Sequence, residues 1–75
     1  MAAPQPAECL VKEDLLLSYQ RTTAAFSAAV TLLHQKMGIV AKAEYELLSM
    51  VADEERLRSE HARLALEQHI AEHHC

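Results

Sequence analysis

A chain of 75 residues makes one domain at most, at a size where a single core is marginal and is usually supplemented by a disulfide, a metal or a partner chain. Its hydrophobic fraction of 51% argues against disorder, but with no Trp, one Phe and two Tyr any core must be aliphatic and alanine-rich. The net charge of -4 lies entirely beyond Gly38, where eight acids face four bases. Such an acidic, aromatic-poor surface gives phosphate backbones neither an electrostatic footprint nor a stacking platform, and gives anionic lipid no attraction.

Residues 1–9 hold both prolines, Pro4 and Pro6, and no apolar period, so they read as a flexible tail. The stretch lacks the positive start and apolar run of a secretory signal. The longest uncharged run, Thr22 to Gln35, is too short and too polar to span a bilayer, and the expected location is cytoplasmic. In that compartment two cysteines are more often reduced than bridged.

From residue 10 to 37 there is no proline or glycine, and the apolar residues recur at helical spacing. One stripe holds Leu15, Tyr19, Phe26, Val30, Leu33 and Met37, the side expected to pack within the molecule. A second holds Leu17, Ala24, Ala28 and Leu32, preceded by Leu10. No residue between Thr22 and Leu33 is charged, so the middle of this helix has almost no face suited to bulk water.

Gly38 is the only glycine. With His34 and Lys36 in the preceding turn, it suits the left-handed conformation that ends a helix, and Ile39 then falls where it could fold back on Leu33. The expected turn covers 38–41. A single unbroken helix competes with this reading, because Ile39 to Lys42 offers no Ser, Thr, Asp or Asn as an N-cap.

The second helix is expected over 42–73, again with two stripes. Leu47, Met50, Leu57 and Leu64, with Ala43 and Ala71 at the ends, make one; Leu48, Ala52, Leu66 and Ile70 make the other. Glu54 with Arg58, Asp53 with Arg56, Arg56 with Glu60 and Arg63 with Glu67 mark the wet side. His61 and Glu54 sit along the Leu57–Leu64 line, where a polar pair suits register setting better than acid-base chemistry.

The fold expected is all-α: an antiparallel two-helix hairpin, coiled-coil-like, pairing with a second copy into a four-helix bundle. Each helix can bury one stripe against the other, which leaves Leu17, Ala24, Ala28, Leu32, Leu48, Leu66 and Ile70 for a partner, either the same chain or a helix of another protein. No catalytic or nucleotide-binding motif is present, and the chain reads as a non-enzymatic interaction module.

An alternative lies at the open end of the hairpin, where Cys9 should approach His69, His73 and Cys75. His69 and His73 are four residues apart on one helix side, and with a thiolate from Cys9 or Cys75 they could hold zinc or nickel. A Cys9–Cys75 disulfide competes for the same geometry, although helix two looks long enough to carry Cys75 past Cys9.

Overall fold

The computed structural model describes residues 7–74. Helix α1 covers Ala7–Lys36 and helix α2 covers Lys42–His73. The single-helix alternative does not hold, because the chain reverses after Lys36 and the two helices run side by side. The result is a narrow hairpin of 60 × 20 × 12 Å. The expected N-terminal tail falls partly outside the described residues, since residues 1–6 are not among them; helix α1 starts three residues before the expected Leu10.

The reversal is made by a tight turn. The Ile39 N–H donates to the Lys36 carbonyl at 3.0 Å, and the Val40 N–H shares that acceptor at 3.3 Å. Gly38 takes the third position of this turn with φ +78°, a value that a type II turn demands and that a Cβ makes unfavourable. The expected return of Ile39 onto Leu33 does not occur. Ile39 is 77% exposed, because the two hydrogen bonds onto one carbonyl turn it outward and bring Val40 in.

Helix α2 begins without side-chain help. Ala41 is the N-cap residue, extended at φ -63° and ψ 154°, and no side chain accepts from the first turn. The Tyr45 N–H to Ala41 carbonyl bond of 3.0 Å opens the helical ladder, and Glu44 supplies the negative charge that the helix dipole favours there. At the far end His74 adopts a left-handed conformation, φ 53°, and its N–H caps the Ile70 carbonyl at 2.8 Å.

Between the helices runs one seam. On α1 the seam row is Lys12, Leu15, Tyr19, Thr22, Phe26, Ala29 and Leu33, with Cys9 and Val30 also less exposed; on α2 it is Tyr45, Leu48, Ala52, Glu55, Ser59, Ala62, Leu66 and His69, with Arg56 also less exposed. Both rows advance by alternating steps of three and four, the spacing of a coiled-coil seam. Only Ala52, Ser59 and Leu66 are buried among the described residues. Small residues dominate the middle, which lets the axes approach, but little apolar area leaves solvent there.

The register is marked at mid-length by a hydrogen bond of 3.0 Å between the Thr23 and Ser59 hydroxyls. Carried outward antiparallel, it sets Ala52 level with Val30, Leu66 with Leu16 beside Leu15, and His69 near Lys12. The other threonine hydroxyls on α1 are satisfied within the helix: Thr22 donates to the Ser18 and Tyr19 carbonyls, and Thr31 to that of Ser27. No described helix is long and apolar enough to cross a membrane.

Candidate interaction surface

The inward side of α2 differs from the expected one. Leu48, Ala52 and Leu66 form the seam, while Leu47, Met50, Leu57 and Leu64 face away from α1. Leu48 and Leu66, expected on the outer surface, are therefore corrected to the interior, and Ile70 lies at the margin, partly exposed. The turn is the reason. Once Val40 is drawn inward, Tyr45 and Leu48 follow at helical spacing, so the rotational phase of α2 is already set in its first turn.

Two polar residues of this seam find partners. Ser59 meets Thr23, and Glu55, whose side chain is 19% exposed, accepts from Arg58 at 3.3 Å. Arg58 was expected to pair with Glu54; it turns instead to the less exposed carboxylate, which loses more if left unpaired. The remaining expected pairs form, Asp53–Arg56 at 3.4 Å, Arg56–Glu60 at 3.0 Å and Arg63–Glu67 at 2.9 Å. They are solvent-exposed and contribute tenths of a kcal/mol each.

On α1 the assignment of sides follows expectation: Leu17, Ala24, Ala28 and Leu32 are exposed, as is Leu10. Met37, expected within the hairpin, is exposed as well, since the helix has ended at Lys36. The outward stripe of α2 is the larger of the two. Leu47 and Met50 are 61% and 60% exposed, and Leu57 and Leu64 are also open to solvent, with Val51 beside them.

That stripe has a regular spacing of its own. From Leu47 through Met50, Glu54, Leu57, His61 and Leu64 the steps alternate between three and four, so this is a second coiled-coil seam on one helix. It lies two residues out of step with the inner seam, which at about 100° per residue places it nearly opposite, about 200° around the helix. The exposed stripe of α1 stands in the same relation to its own inner row. The two unpartnered stripes therefore look away from each other, along opposite edges of the hairpin.

Glu54 and His61 are both exposed on the outer stripe, so they do not form a buried pair. Two surface grooves each run along α1 alone. One of about 500 Å³ runs along Asp14, Leu17, Ser18, Arg21 and Thr22, and another of about 360 Å³ along Tyr19, Gln20, Thr23, Ala24 and Ser27.

At the open end Cys9 is disulfide-bonded. Its sulfur is then no thiolate ligand, which removes Cys9 from the expected metal set of His69, His73, Cys75 and Cys9. The chain's one other cysteine, Cys75, lies outside the described residues. The rings of His69 and His73 stack at a centroid distance of 4.6 Å, tilted by 43°, and the Nε2 of His69 is enclosed without a hydrogen-bond partner. Among the described residues no three histidine, cysteine or acidic groups are arranged to hold a metal ion.

Leu47, Met50, Val51, Leu57 and Leu64 are the residues that sequence reading placed inside or passed over. Their heptad spacing was visible, but so was that of the row that packs. No protein-family model, curated protein or solved structure matches this chain.

Proposed function

We propose that this chain is a non-enzymatic helical interaction module, which takes a further helix against an outward apolar stripe. One observation carries the reading. α2 presents a complete second seam, Leu47, Met50, Leu57 and Leu64, on the side opposite its partner α1. Exposed leucines scattered singly need no explanation, but a row of them at coiled-coil spacing has the form of an anchor set for helix-in-groove recognition.

The thinness of the inner seam points the same way. A hairpin with three buried residues among those described gains stability from any partner that binds only its folded form. Self-association remains one route to that partner. Because the outward stripes lie on opposite edges, a four-helix assembly of two hairpins would join through one helix from each copy rather than through a single face shared by both. The Cys9 disulfide suits an oxidising compartment better than the cytoplasmic location expected from sequence.

The test is a pair of substitutions on the exposed stripe, Leu57→Asp with Leu64→Asp, read by light-scattering mass and by recovery of complexes from the native host. Both side chains are exposed, so the helicity of the isolated chain should hold. Loss of self-association or of complex formation is the expected result. Unchanged mass and unchanged complexes in the double variant would sink the proposal.

A further inference from the structure

We propose that the helix received by α2 belongs to a different protein and carries lysine or arginine beside its own apolar stripe. This rests on the docking reading above and names the partner's chemistry. The argument is charge complementarity along the edge of the outer seam.

Glu46, Asp53, Glu60 and Glu67 follow one another at seven-residue intervals, all on the same border of that seam. Their in-helix partners are Lys42, Arg56 and Arg63. At about 100° per residue those bases stand about 40–60° further around the helix than the acids, so the row nearest an incoming helix is the acidic one. Glu54 stands within the stripe itself and has no ion-pair partner among the described residues. On the opposite border the one base, Arg58, is turned to Glu55.

A second copy of α2 meets this edge badly in either direction. Antiparallel and centred on the stripe, the acidic row falls on itself, with Asp53 against Glu60 and Glu46 against Glu67, while on the other border Arg58 meets Val51 and gains no acidic partner. Parallel and in register, Glu54 meets Glu54 and His61 meets His61 within the seam. Glu67 then faces Glu72, and Asp53 with Arg58 is the one attractive flanking pair. Like charges directly opposed select against a partner, whereas a basic flank answers the whole row. The chain's net charge of -4 adds to the mutual repulsion of two copies and favours the approach of a cationic helix.

The experiment uses the full oxidised chain and three synthetic helical peptides of about four heptads. Two share one leucine stripe and differ in flanking residues, all lysine or all glutamate; the third keeps the lysines but replaces the stripe with serine. Fluorescence anisotropy should show the lysine-flanked stripe peptide binding at least about tenfold tighter than either of the others, with affinity falling as salt rises. Leu57→Asp with Leu64→Asp should abolish that binding. Reversing the row, E46K with D53K, E60K and E67K, should transfer preference to the glutamate-flanked peptide.

Equal binding of the serine peptide would reduce the effect to bulk charge and overturn the proposal. A chain that dimerises through Leu57 and Leu64 and does not distinguish the two stripe peptides would overturn the partner's chemistry while leaving the docking reading intact. A monomer that binds no peptide at all would overturn both.

Discussion

The two long sides of α2 contrast in a direction that burial by hydrophobicity alone would not give. The outward side carries Leu47, Met50, Leu57 and Leu64, while the inward side makes do with Leu48, Ala52, Ser59, Ala62 and Leu66. Both rows keep coiled-coil spacing, and both are interrupted by polar residues. What separates them is fit: small residues that let α1 approach, a hydroxyl that finds Thr23, and a carboxylate that finds Arg58. The greasier row is left exposed.

The contrast can be broken most severely at the open end. Replacing Cys9 by Ser removes the disulfide and should cost about 2–4 kcal/mol, lowering the thermal midpoint followed by circular dichroism. A midpoint insensitive to both the substitution and reductant would show that the inner seam closes the hairpin unaided.

Within α2 a direct comparison follows. Leu66→Ala, at the buried position, should cost about 2–3 kcal/mol, whereas Leu64→Ala, two residues away and exposed, should stay within about 0.5 kcal/mol. Equal losses in denaturant melts would mean that the two rows are not distinguished as described. Helix entry gives a gain instead of a loss. Ala41→Ser supplies the missing N-cap acceptor and should stabilise by about 1 kcal/mol.

The smallest expected effect concerns the register. Ser59→Ala leaves the Thr23 hydroxyl without its partner across the seam and should cost about 1 kcal/mol, while pairing it with Thr23→Val should recover part of the loss. Additive losses in the double-mutant cycle would show that the two hydroxyls are not coupled.

The identity of the elements was legible in the residues. A chain with one glycine between two proline-free amphipathic stretches favours two helices and a turn over one unbroken helix, and Gly38 occupies the left-handed position for which it is suited. The inner row of α1 was legible too, apart from Met37, because its Leu15, Tyr19, Phe26 and Leu33 are larger than anything on the opposite side except Leu17 and Leu32. The spacing of the ion pairs was readable as well, with Arg58 the exception.

The rotation of α2 was not legible. Two rows of equal period compete on that helix, and counting apolar residues favours the wrong one. Helical periodicity fixes the angle between rows on one cylinder but carries no information about which row faces a neighbour. That choice depends on how the chain leaves the turn, here with Val40 inward and Ile39 outward, and on small residues and the Ser59 hydroxyl that fit against α1. The residues determined two helices with two seams apiece; packing one helix on the other decided which seams are spent inside and which remain to be covered.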